Sequence, residues 1–253
     1  MKRFLVLSFL IFPCITHADT ETINWYVDGS TYATTTCQTG GDIILPTTPT
    51  KYGYTFQGWA FFTPVEYLES TGLQYIDTGF FPNQDTRVVV EFKAISGYYG
   101  TIFGARTAAS TDTFSFLYTN LNPGNISDDY ASTRTVLGSK IFNQIIVVDK
   151  NKSLTYVLNK STGAVIYQDA NTYTNFQTTV PLYLFVMNSG GVANVNESGS
   201  RLIYSAKIYD NGTLVRDFIP VLDGNNVPCM YDRVTEQYFY NQGTGNFIAG
   251  PAI

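Results

Sequence analysis

"TRVVVEFKA", residues 86–94, alternates apolar and polar side chains, with Val88, Val90 and Phe92 on one side and Arg87, Glu91 and Lys93 on the other. Successive residues of a β-strand face opposite ways, so this pattern describes a strand with one buried and one wet face. "RLIYSAKIY", residues 201–209, repeats it, with Leu202, Tyr204, Ala206 and Ile208 opposite Arg201, Ser205 and Lys207. Between such runs, "VDGS", "TGGD", "SGYYG", "NSGG", "DNGT", "LDGN" and "NQGTG" supply the Gly, Asn and Asp that tight turns require. The chain holds 19 Tyr and 18 Phe, and no segment sustains a helical period over three turns. These features predict an all-β protein.

The N-terminus reads differently. In "MKRFLVLSFLIFPCITHADT", Lys2 and Arg3 precede an apolar run from Phe4 to Ile15, and Thr16-His17-Ala18 follows with small residues. This is the pattern of a secretory signal peptide over residues 1–18. The run is shorter than the roughly 20 residues a transmembrane helix needs, and no later stretch is long and apolar enough to serve. The expected address is therefore secreted, extracellular or cell envelope. Phe12 and Pro13 stand before Cys14 where a lipoprotein anchor wants small residues.

Export limits the chemistry. The single histidine of the chain, His17, leaves with the leader, which removes Ser-His-Asp and Cys-His catalysis and His-containing zinc sites. The formal net charge is −5 with no basic cluster, so a nucleic-acid role, which needs a positive stripe against phosphate, is excluded. Cys37 and Cys229 remain. An oxidising compartment permits a bridge between them, but two free, half-buried thiols are the simpler expectation.

Outward from the first strand, residues 22–60 form a short unit of their own. A strand and an Asp28-Gly29 turn are followed by a Thr-rich strand, a Pro-bracketed loop and an aromatic strand ending at Trp59. Leu45-Pro46, Pro49, Lys51, Gly53-Tyr54, Phe56 and Gly58-Trp59 reproduce a "lP..P.k.GY.F.GW" signature. In this the segment resembles the internalin-B-type, or Listeria–Bacteroides, repeat. The resemblance implies a small β-grasp-like unit of an exported or surface-displayed bacterial protein, with Tyr54, Phe56 and Trp59 as packing residues. From residue 65 onward the chain resembles the concanavalin A-like, laminin-G-like jelly rolls. "VEYLESTGLQYIDTG" at the start and "KIYDNGTLVRDFIPV", "MYDRVT" and "YFYNQGTGNF" near the end carry that resemblance. It implies one β-sandwich over 65–253 whose first and last strands lie side by side. Between the units, "FFTP" reads as a very short linker, with Pro64 opposing strand pairing across it.

The remaining residues offer little catalysis. A retaining glycosidase needs two carboxyl groups about 5–5.5 Å apart. Glu66 and Glu69 have opposite parity on a strand, as do Asp128 and Asp129, and a turn is expected between Asp232 and Glu236. The chain is read as not an enzyme. Binding candidates are Tyr98 and Tyr99 beside two glycines, where rings stack on sugars, and Asn188 on the polar loop with Asn194 and Asn196. No cofactor is called for, and calcium is a secondary idea with Asp217, Asp223 and Asn225 as candidate ligands. The plainer view makes Asp223-Gly224-Asn225 a turn and lets Arg216 and Asp217 balance each other. The leading expectation is a non-catalytic binding or adhesion protein that recognises a surface glycan or protein through the jelly roll. The alternative is a self-associating structural subunit of an envelope or appendage, and a glycoside hydrolase stands third.

Overall fold

The computed structural model describes residues 2–9, 20–27, 30–38, 41–52, 54–97, 99–119, 125–171, 174–195 and 199–253. Among them every regular element is a strand, and the strands form two sheets packed as a β-sandwich of jelly-roll type. Through the sandwich, the larger sheet runs in the order Val165–Ala170, Leu154–Asn159, Ile146–Lys150, Thr86–Ala94, Arg201–Asp210, Thr213–Asp223. The second sheet runs Thr133–Ser139, Asn125–Ala131, Thr111–Tyr118, Gly100–Ala108, Tyr183–Leu184, Ile76–Asp77.

Alternation sets the inner faces. Along Thr86–Ala94 every second residue, including Val88, Val90 and Phe92, is buried. These side chains meet Phe103, Phe114, Phe116 and Tyr118 of the second sheet in one core, with Phe92 edge-on to Phe116 at 6.1 Å between ring centres. Each such side chain contributes about 1.5–3 kcal/mol through burial. The Arg201–Asp210 strand departs from the simple alternation. Its register against Thr86–Ala94 slips between Ile203 and Ser205, so Tyr204 is the extra residue of a β-bulge. The core face is therefore Ile203, Ala206 and Ile208, and the expected placement of Leu202 and Tyr204 on that face is corrected. A bulge shifts parity by one residue, and apolar residues on both sides hide the slip.

The ends of the sandwich meet as the jelly-roll resemblance implies. Ile248 and Ala249 pair antiparallel with Glu69 and Leu68, and Val65 bridges to Ala252. The seam is another correction. Instead of a linker at "FFTP", one strand runs from Tyr54 to Pro64. Phe62, Thr63 and Pro64 pair with Asp223, Leu222 and Val221, and the Pro64 carbonyl accepts from Ile253 N at 3.2 Å. Proline removes one donor but keeps its carbonyl, so at a strand end it is compatible with pairing. Phe62 then packs with Val221, Cys229 and Tyr231 in a cluster at the joint. A separate cluster on the N-terminal side holds Ile23 and Trp25, with Trp59 4.7 Å from the Trp25 ring. Lys2–Phe9 is a strand between Thr20–Val27 and Tyr54–Pro64, whereas Thr16, His17 and Ala18 lie outside the described residues.

Both thiols, Cys37 and Cys229, are free. Cys229 is buried, and burial pushes its pKa up to about 12. Because the thiolate is the reactive form, iodoacetamide at pH 8 is expected to label half-exposed Cys37 in the folded protein and Cys229 only in urea. Peptide mapping checks this, and rapid native labelling of Cys229 would contradict the burial.

Candidate functional site

Asp128 and Asp129 are adjacent on the Asn125–Ala131 strand, so their side chains leave opposite faces of the second sheet. Asp128 turns inward to Lys150, with Oδ1 2.5 Å from Nζ. Asp129 turns outward and accepts two bonds from Arg134, 2.6 Å from Nε and 2.7 Å from Nη2. Ser115, directly across the ladder, donates to Asp129 Oδ2 at 2.9 Å. The two carboxylates therefore point to opposite sides of the sheet, as their parity implies.

Around Asp129 the outer face forms a depression of ≈ 180 Å³ at the end of the sheet where two hairpins turn. Arg134 and Asp129 form part of its lining, together with Thr113, and Arg106 stands across from them. Hydrogen bonding to Asp129 raises the Arg134 pKa above its ordinary value, with a smaller electrostatic contribution from Tyr99. Arg106 Nε donates to Ser189 Oγ at 2.9 Å, and among the described residues this guanidinium meets no carboxylate. The Thr113 side chain is buried, and its hydroxyl has no hydrogen-bond partner among the described residues. Leaving such a group unsatisfied costs about 1–3 kcal/mol. Ser110 and Ala131, beside the depression, hold positive φ of 60° and 55°, a conformation that costs non-glycine residues energy and recurs at binding sites. Two guanidinium groups against one carboxylate make the depression locally positive on an acidic chain. Its donors suit a carboxylate, sulfate or sugar hydroxyl.

The residues singled out from sequence are scattered. Tyr98 lies outside the described residues, as does Asn196. Tyr99 is half-buried, and its carbonyl accepts from Arg201 Nη2 at 2.7 Å. Tyr99 acts electrostatically on Arg134 of the depression. Asn188 is fully buried; its amide donates to the Pro181 carbonyl at 2.9 Å and accepts from Gly191 N at 3.0 Å. It fastens its own turn and presents no atom to a ligand, which corrects its candidacy. Asp217 and Asp223 sit six residues apart on one strand, roughly 20 Å, too far to share an ion. Asp223 Oδ1 accepts from Asn225 N and Val227 N, and Oδ2 from Tyr240. Asn225 is therefore part of a turn capped by Asp223. Asp217 pairs with Arg233 at 2.7 Å, not with Arg216, which lies 3.7 Å from Asp232. No group of three or more acidic, His or Cys side chains suited to a metal occurs among the described residues. Arg106, Thr113 and Arg134 stand on three different strands and carry no shared local motif. The hairpin between Asp129 and Arg134 was the available signal.

No family model matches the chain, and no curated protein does. Among solved structures, it is similar to Scytalido-glutamic peptidase in complex with a peptide-based transition-state analog. The TM-score is 0.33 and the identity 10%, over 76% of this chain and 98% of that one. That level of likeness assigns neither activity nor substrate.

Proposed function

We propose that the chain is an exported, non-catalytic bacterial binding protein in which an internalin-B-type repeat precedes a concanavalin A-like jelly roll. The jelly roll recognises a glycan or protein of a cell or matrix surface. One observation carries this reading: Arg106 opens onto the outer-face depression beside the buried Thr113 hydroxyl, which has no partner among the described residues. A concave site with a few convergent donors is the usual form of a ligand pocket. The leader pattern and the two module resemblances support the exported, two-unit reading.

Glycan arrays and pull-downs from surface extracts, with wild type and Arg106→Ala side by side, test the proposal. Losing a charge-assisted bond of about 1.5–3 kcal/mol is expected to weaken binding about tenfold or more, with Arg106→Lys intermediate because ammonium lacks the guanidinium fork. Binding that is absent in wild type, or indifferent to Arg106, removes the site.

Self-association is the second reading, and it has its own observation. Ser30–Gln38 ends the larger sheet with one edge unpaired among the described residues. The loop beyond it exposes Ile44, Leu45 and Tyr52. Exposed edges and apolar side chains invite strand or surface pairing. Light scattering of the purified protein separates the two, since a stable dilute monomer counts against assembly.

A further inference from the structure

The inward face of the sandwich brings together an amine, a carboxyl group, a hydroxyl and a second acid. Lys150 pairs with Thr155, and Thr155 with Asp169, across three neighbouring strands of the larger sheet. Directly paired residues share a face, so the three side chains stand in one row. Opposite them, from the second sheet, comes Asp128. Lys150 is fully buried, Asp128 nearly so, and Nζ lies 2.5 Å from Oδ1. Thr155 Oγ1 donates to Asp128 Oδ2 at 2.7 Å, and Asn171 donates to Thr155 at 3.0 Å. The rings of Phe114 and Tyr130 close over Nζ at 4.8 and 5.4 Å.

We propose that Lys150 and Asp128 condense to an intramolecular isopeptide bond that ties the two sheets together covalently. An ammonium has three hydrogens to place, and among the described residues Nζ has a single hydrogen-bond acceptor, Asp128 Oδ1. Moving one proton across that contact gives a neutral amine and a neutral acid, the forms that react. Burial favours the same direction by raising the Asp128 pKa above the ordinary carboxylate range. The Nζ lone pair attacks Cγ of Asp128, and Thr155 donates to Oδ2 as charge develops there. Nζ then loses a proton, the Cγ–Oδ1 bond breaks, and Oδ1 departs as water carrying that proton and the acid's own. One C–N bond forms, one C–O bond breaks, and no oxidant or co-reactant is consumed. Asp169 lines the same cleft as Asp128, of ≈ 40 Å³. A cleft this small passes a water and admits no foreign polymer, so the reaction stays within the chain.

Intact mass of the folded, purified protein, measured after denaturation, decides the matter. The expected value is lower by one water than the sequence mass for the observed N-terminus, with a branched peptide joining residues 128 and 150 on digestion. Lys150→Met is expected to restore the full mass. If that variant does not fold, the branched peptide of wild type still locates the bond. A full sequence mass in a chain that melts cooperatively overturns the proposal. So does a lost water mapped elsewhere, such as a ring-closed Asp223-Gly224.

Discussion

Asp128→Ala is expected to destabilise the fold by about 3–5 kcal/mol, the usual consequence of removing one partner from a fully buried ion pair. Among the described residues Asp128 Oδ1 is the one hydrogen-bond acceptor of Lys150 Nζ. Phe114 and Tyr130 offer ring faces, and Thr155 is held by Asn171. The amine would be left in apolar surroundings, where desolvation is most costly. The loss is expected whether the two side chains meet as an ion pair or as an amide, because either link spans the two sheets. Urea unfolding measures it as a lower midpoint, with a steeper slope where a covalent link in the unfolded chain has been lost as well. The companion experiment replaces both partners, Asp128→Leu with Lys150→Met. A well-packed apolar pair is often as stable as a buried ion pair but cannot replace a cross-link, so with the amide formed the double variant is expected to keep part of the deficit in a double-mutant cycle. A single variant within about 1 kcal/mol of wild type would show that the interior pair contributes little.

The same strand shows what sequence reveals and what it conceals. Parity alone placed Asp128 and Asp129 on opposite faces, because a strand permits no other geometry over two residues. Thr86–Ala94 was equally legible, since its inward positions are uniformly apolar or small. Arg201–Asp210 was not, because Leu202, Ile203 and Tyr204 are all apolar and conceal the bulge that resets the face. Pro64 signals a stop in sequence, yet its carbonyl and its neighbours continue the ladder. The candidate site was hardest to see. Arg106, Thr113, Asp129 and Arg134 come from four strands, and a single side chain in such a set has no local signature. Asn188 erred the other way. A polar residue in a glycine-rich loop looks available for binding, yet its amide holds the turn that the two following glycines make.

Gly243→Ala is expected to be the most damaging single-methyl change among the closing residues. "YNQGTGNF" folds back over residues 73–75, where Asn241 Oδ1 accepts from Tyr75 N at 3.1 Å and from Gly243 N at 2.8 Å. Gln242 N donates to the Tyr75 carbonyl at 3.0 Å, and Phe247 enters the core beside Phe185 at 4.9 Å. A Cβ on Gly243 would sit 1.9 Å from the Leu73 carbonyl oxygen. That oxygen belongs to backbone, so relief requires the clasp itself to move. The cost is about 3 kcal/mol, at the upper end for overpacking, and in a chain of this size lowers Tm by about 6–12 °C. Gly212→Ala is the informative comparison. Gly212 has φ of +80° and open space where a Cβ would stand, so only left-handed backbone strain of about 1–2 kcal/mol applies. Gly243 is not among the positive-φ glycines, so conformational preference alone would rank the two variants the other way. Melting curves that show Gly212→Ala as the worse variant would mean that the closing segment does not press against Leu73. The pairing of first and last strands would then need another origin.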